Sequence, residues 1–204
     1  MNYNGTEHTQ VSARGFRGDW SPDGTRIVFS SYPREQADIV VINVADTSDK
    51  VRLTNDGANN WAPVWSPDGQ RIAFAKSGVL HVMKVDGSNP VALANGTGPA
   101  WSPDGQFIAV ASQGPSGGES FQIWTIRANG TGLTRLTSIS PDCGGPSYVP
   151  DGRAIVFHCP RQGTESFVWI MDADGGNQRR LDAVPWPGAA HPDWFEPPAV
   201  PARR

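Results

Sequence analysis

The chain has 204 residues and a net charge of −3, and its Lys and Arg are spread along the sequence, so no basic stripe is available to bind nucleic acid. No apolar run approaches the roughly 18 residues of a membrane span, and Met1-Asn2-Tyr3-Asn4-Gly5 does not read as a signal peptide. There are 23 glycines and 18 prolines, well above the ordinary combined share of about 12%, which calls for many tight turns and short strands.

The first predicted strand ends at Trp20, and Ser21-Pro22-Asp23-Gly24 follows it. Pro supplies a φ near −65° and Gly accepts a positive φ, so this is a turn signal with a mechanism. Arg26-Ile27-Val28-Phe29-Ser30 reads as a second strand and Asp38-Ile39-Val40-Val41-Ile42 as a third; Leu53 belongs to a fourth. The pattern then restarts. Trp65-Ser66-Pro67-Asp68-Gly69 precedes Arg71-Ile72-Ala73-Phe74-Ala75, then Val79-Leu80-His81-Val82-Met83 and Leu93. Trp101-Ser102-Pro103-Asp104-Gly105 precedes Phe107-Ile108-Ala109-Val110-Ala111, then Gln122-Ile123-Trp124-Thr125-Ile126 and Leu136. A worn copy, Tyr148-Val149-Pro150-Asp151-Gly152, precedes Ala154-Ile155-Val156-Phe157-His158, then Phe167-Val168-Trp169-Ile170-Met171 and Leu181. A last trace, His191-Pro192-Asp193-Trp194, precedes a Pro-rich tail over 195–204.

Ile42, Met83, Ile126 and Met171 align at spacings of 41, 43 and 45 residues. Self-similarity at such a period means a repeat architecture. Asp86-Gly87, Asn129-Gly130 and Asp174-Gly175 are hairpin turns between third and fourth strands. Four antiparallel strands per repeat predict an all-β propeller. The blades run over about 13–54, 55–95, 96–138 and 139–182, with partial strands of a fifth at 1–12 and 183–194. Three closures stand open: four blades closing on themselves, strands supplied by another chain, or a piece of a longer propeller. Open blade edges make self-association an expected behaviour.

These repeats resemble the TolB-type propeller, a WD-like repeat of the bacterial cell envelope. The carrying motif is Trp-Ser-Pro-Asp-Gly followed by Arg-Ile-x-Phe, present in repeats one and two and altered in three and four. The resemblance implies a non-enzymatic module that binds protein partners in the periplasm or outside the cell. Similar propellers gate prolyl-oligopeptidase-like peptidases, which is the alternative expectation.

Antiparallel order puts the stereotyped turns on one face and the variable loops on the other, where binding tends to sit. Trp, Tyr and Arg are the usual anchors of interfaces, so the partner-binding candidates are Tyr32, Arg34, Trp61, Arg161 and Trp186. Trp20, Trp65, Trp101, Trp124 and Trp169 are expected to pack between blades. Pairing Tyr148 with Ala154 across their turn sets Cys143 opposite Cys159, a possible disulfide that fits an oxidising compartment. No metal or cofactor set is visible. Gly114-Pro115-Ser116-Gly117-Gly118 matches a serine-hydrolase elbow only formally, because a strand rather than a helix follows it. Asp172 to Asn177 lacks the later acidic ligands of a calcium loop.

Overall fold

The computed structural model describes residues 15–32, 36–118, 120–139, 142–160 and 166–181. Among them every regular element is a strand, and the strands form four antiparallel sheets of four. Blade one holds β1 (Gly15–Trp20), β2 (Arg26–Ser31), β3 (Asp38–Asn43) and β4 (Lys50–Arg52). Blade two holds β5 (Asn60–Trp65), β6 (Arg71–Lys76), β7 (Val79–Lys84) and β8 (Val91–Asn95). Blade three holds β9 (Thr97–Trp101), β10 (Phe107–Ser112), β11 (Gln122–Arg127) and β12 (Thr134–Arg135). Blade four holds β13 (Gly144–Tyr148), β14 (Ala154–Pro160), β15 (Ser166–Asp172) and β16 (Arg179–Arg180). The partial strands expected at 1–12 and 183–194 lie outside the described residues.

The Ser-Pro-Asp-Gly turn is a closed hydrogen-bond unit. Ser66 Oγ donates to Asp68 Oδ1 (2.5 Å) and accepts from Arg71 N (2.9 Å), while Gln70 N donates to the same Asp68 oxygen (3.0 Å). Ser21 with Asp23 and Ser102 with Asp104 repeat the arrangement. Val149 has no hydroxyl to do so, and in blade four Arg153 N donates to Asp151 (3.0 Å) while the Arg153 guanidinium lies 3.9 Å from the other carboxylate oxygen. The turns also stack from blade to blade. A Cβ placed on Gly69, Gly105 or Gly152 would meet Cδ of Pro22, Pro67 or Pro103 at 3.8, 3.8 and 3.4 Å.

The core lies between the sheets. Val28, Ile39 and Val41 of blade one are buried against Trp65, Ile72, Phe74 and Met83 of blade two. Blades two and three join through Leu80 and Val82 with Trp101, Ile108 and Ile126; blades three and four join through Ile123 and Leu136 with Ile155, Phe157 and Met171. Trp124 and Trp169 are half-buried against these clusters. The guanidinium of Arg26 covers Trp65 at 4.8 Å, and that of Arg71 covers Trp101 at 4.7 Å.

Two expectations need correction. Trp20 does not pack between blades as Trp65 and Trp101 do; it is 55% exposed, against 5% and 8%. The inner strands explain this. β1 packs on β5, β5 on β9 and β9 on β13, and among the described residues no comparable packing joins β13 to β1. The first blade therefore has no described neighbour on its leading side. The second correction is one of register. Tyr148 pairs with Ile155, not Ala154, and likewise Trp20 pairs with Ile27. A bulge between Gly144 and Ser147 absorbs one residue, so Gly144 faces His158 at the far end of the same strand pair.

Candidate functional site at the loop face

Each inner strand carries a left-handed residue three positions before its Trp or Tyr: Arg17 (φ 49°), Ala62 (φ 52°), Gly98 (φ 58°) and Gly145 (φ 56°). They sit within the irregularities that shift the register of each inner strand. A bulge bends the strand and re-aims its neighbours. Repeated four times, it widens the loop-side end of the inner strands into a bowl of about 360 Å³. Arg17, Trp61, Phe121, Asp142 and His158 line it with the glycines of β9 and β13. Left-handed φ at Arg17 and Ala62 costs about 1–2 kcal/mol each, and such strain gathers at functional sites.

The walls are tied together. Phe121 N donates to Asp142 Oδ1 (2.6 Å), and Cys143 N donates to the Phe121 carbonyl (2.8 Å). The Cys143–Cys159 disulfide, buried at both sulfurs' residues, joins the start of blade four's inner strand to β14. The His158 ring lies against Gly144, where a Cβ would come within 3.3 Å of it. Arg17 places its guanidinium 5.2 Å from the centre of the Trp61 ring. In the loop before β5, outside the bowl's lining, Asp56 pairs with Lys76 (2.6 Å) and accepts from Asn60 and Ala58. Burial pushes the Asp56 carboxyl up, but these donors outweigh it and hold the pKa at about 2. The bowl thus offers two aromatic faces, a guanidinium, an imidazole and a carboxylate.

Of the expected anchors, Trp61 lies in the bowl. Tyr32 is exposed on the same face and stacks on Phe16 with ring centres 5.0 Å apart. Arg34, Arg161 and Trp186 lie outside the described residues. Arg17, Phe121, Asp142 and His158 were not singled out from the sequence as anchors. A signal for two of them was present. Arg17 stands where the other repeats have Ala62, Gly98 and Gly145, and His158 stands where they have Ser30, Ala75 and Ala111. Large polar residues at small-residue positions mark where the repeat departs from scaffold duty.

On the opposite face, a cavity of about 780 Å³ between blades three and four is lined by Phe107, Thr125, Leu136 and Tyr148 among others. Burial, and secondarily the Asp104 charge, push the Tyr148 phenol above its usual range. Among the described residues no group of three or more His, Cys, Asp or Glu is placed to hold a metal ion.

A family model, PD40, the TolB beta propeller domain, matches residues 80–190, more than half of the chain. The solved structure of TolB from Acinetobacter baumannii superposes with a TM-score of 0.74 at 22% identity, covering 88% of this chain and 47% of that one. A puromycin-hydrolyzing peptidase of Mycobacterium tuberculosis superposes at 0.64 with 17% identity, over 82% of this chain and 29% of the peptidase. The uncharacterized peptidase YuxL of Bacillus subtilis is 31% identical over 72 residues, which is 35% of this chain and 11% of YuxL. The chain thus spans about half the length of the TolB it resembles and a small part of the peptidase.

Proposed function

The chain belongs to the TolB β-propeller family, and on that premise we propose that it is a non-enzymatic binding module presenting its loop face to a protein or peptide partner. The observation that carries the reading is the bowl. It sits among the variable loops and combines Trp61 and Phe121 with Arg17, Asp142 and His158. Aromatic and guanidinium groups at the centre of a concave patch are what interface anchors are made of. Its volume of about 360 Å³ is enough to take one or two side chains of a peptide. The disulfide and the family together favour the bacterial cell envelope as the place of action.

The test is the double variant Trp61→Ala with Arg161→Ala. Capture of envelope proteins by the immobilised chain is expected to be lost while the melting temperature stays nearly unchanged. Unaltered capture of the same proteins rejects this face.

The second reading, a gating propeller of a larger peptidase, rests on the YuxL stretch and on the peptidase superposition. The family's propellers are shared by both kinds of protein, so fold alone does not choose. A hydrolase domain encoded next to this segment, and peptide hydrolysis by the joined protein, are the outcomes that would favour it.

A further inference from the structure

Two of the three interfaces between described blades hold a cation on a ring. Arg26, the first residue of β2, lies over Trp65, and Arg71, the first residue of β6, lies over Trp101. At the third interface both partners are replaced. Phe107 opens β10 where the arginines open β2 and β6, and Tyr148 ends β13 where the tryptophans end β5 and β9. Between blades three and four lies the cavity of about 780 Å³, with Phe107, Tyr148 and Leu136 in its wall. Its size is that of a small-molecule site.

The acidic half of the arrangement has stayed. Asp104, Asp151 and Asp174, from turns of blades three and four, line the cavity. Asp23, Asp68 and Asp86 hold the equivalent turn positions of blades one and two, where Arg26 supplies a cation. Among the described residues no Lys or Arg lines the cavity. Arg127 covers the Phe107 ring with its guanidinium 5.0 Å from the ring centre, and the exposed Arg153 comes no nearer than 3.9 Å to Asp151 with its guanidinium. The Ser102 hydroxyl, followed by Gln106 N, holds the Asp104 carboxyl below the ordinary carboxylate range, so it is charged at neutral pH.

We propose that this cavity binds a small organic cation, a planar guanidinium or amidinium carried on an aromatic body, with the body against Phe107, Tyr148 and Leu136 and the charge toward Asp151 and Asp174. Ring faces attract a cation, and a planar delocalised one meets carboxylates at a lower desolvation cost than a compact ammonium. An arginine side chain from a protein would leave much of the volume empty, which selects a bulkier ligand. The cavity lies on the face opposite the bowl, so the assignment stands apart from the loop-face reading.

Isothermal titration calorimetry of the full chain, with amide chemical shifts to locate the site, tests it. The probes are naphthylguanidine, its neutral isostere naphthylurea, and acetylarginine amide, which has the cation without the aromatic body. Naphthylguanidine is expected to bind with a Kd of about a millimolar or tighter and the other two at least tenfold more weakly. The shifted amides should be those of Asp104, Phe107, Tyr148, Asp151 and Asp174. Asp151→Asn with Asp174→Asn keeps the acceptor oxygen that each turn uses, and should weaken naphthylguanidine at least tenfold with the melting temperature nearly unchanged. Phe107→Arg restores the arginine of the other interfaces and should abolish binding; if that variant does not fold, the paired Asn variant decides. Equal binding of naphthylurea, or full binding by the paired Asn variant, makes the cavity merely apolar and overturns the proposal. Equal binding of acetylarginine amide makes a protein's arginine the occupant and overturns it. So does the absence of naphthylguanidine binding to the folded wild-type chain, or shifts confined to the loop face.

Discussion

The guanidinium of Arg71 lies 4.7 Å from the centre of the Trp101 ring, one blade further along the chain. Trp101 is buried, and its indole Nε1 finds no hydrogen-bond partner, so the cation over the ring face is its main polar contact. Arg71→Ala is expected to destabilise the chain by about 1–2 kcal/mol, and Arg71→Lys by less, because the ammonium keeps the charge but not the planar stacking. Urea unfolding checks both. Equal stability of wild type and Arg71→Ala would mean that the pair is a surface accident.

The turn motif predicts a paired experiment. Ser66 is fully buried and serves as both donor and acceptor within its turn, so Ser66→Ala should cost about 1–2 kcal/mol. Val149 occupies the same place in blade four with no hydroxyl to offer Asp151. Val149→Ser should therefore stabilise the protein, by up to about 1 kcal/mol. Thermal melts of the two variants should move in opposite directions.

Acid should weaken these turns only below about pH 4. The Ser21 hydroxyl, followed by Thr25, holds the Asp23 pKa at about 2. A carboxyl depressed in the folded state stabilises above its unfolded pKa of about 3.9, and that contribution fades as pH falls from there through about 2. Asp56 behaves alike through Lys76 and Asn60, against the opposing effect of its burial. Ser21→Ala should move the Asp23 titration upward toward the ordinary carboxylate range, as read by NMR on its side chain. A titration left at about 2 would remove Ser21 as the cause.

The disulfide should matter for stability. Cys143 and Cys159 are 16 residues apart, and closing a loop of that size is worth about 3 kcal/mol in the chain-entropy picture. Cys143→Ser with Cys159→Ser, or reduction of the partly unfolded protein, should lower the melting temperature by several degrees. An unchanged melt would show that the blade packing alone holds this corner.

The repeat made the fold readable. Four copies of one turn, each followed by β-branched and aromatic strands, specify the blades without reference to tertiary contacts. What the repeat hid was its own irregularity. The left-handed residue at Arg17 and Ala62 has no local signature, since neither residue favours positive φ; only Gly98 and Gly145 hint at it. Missing that bulge shifted the Tyr148 pairing by one, although the same bulge restores the opposition of Gly144 and His158. The bowl was legible only in part for the same reason. Trp61 announced itself as a large aromatic in a variable loop. Arg17 and His158 are visible only by comparing each with its counterparts in the other repeats. Trp20 is exposed where Trp65 and Trp101 are buried although all three hold the same place in the repeat, a difference no pattern inside the repeat encodes.

The central claim is that the bowl at the loop face is a peptide-binding site. The most direct measurement is backbone hydrogen exchange of the chain with and without the tightest peptide selected on it from a random display library. The account predicts protection concentrated at Trp61, Thr97–Gly98, Asp142–Gly145 and His158, with binding weakened at least tenfold by Trp61→Ala, a loss of about 1.4 kcal/mol. Protection centred on the Pro-Asp-Gly turns, or full binding by Trp61→Ala, would contradict it.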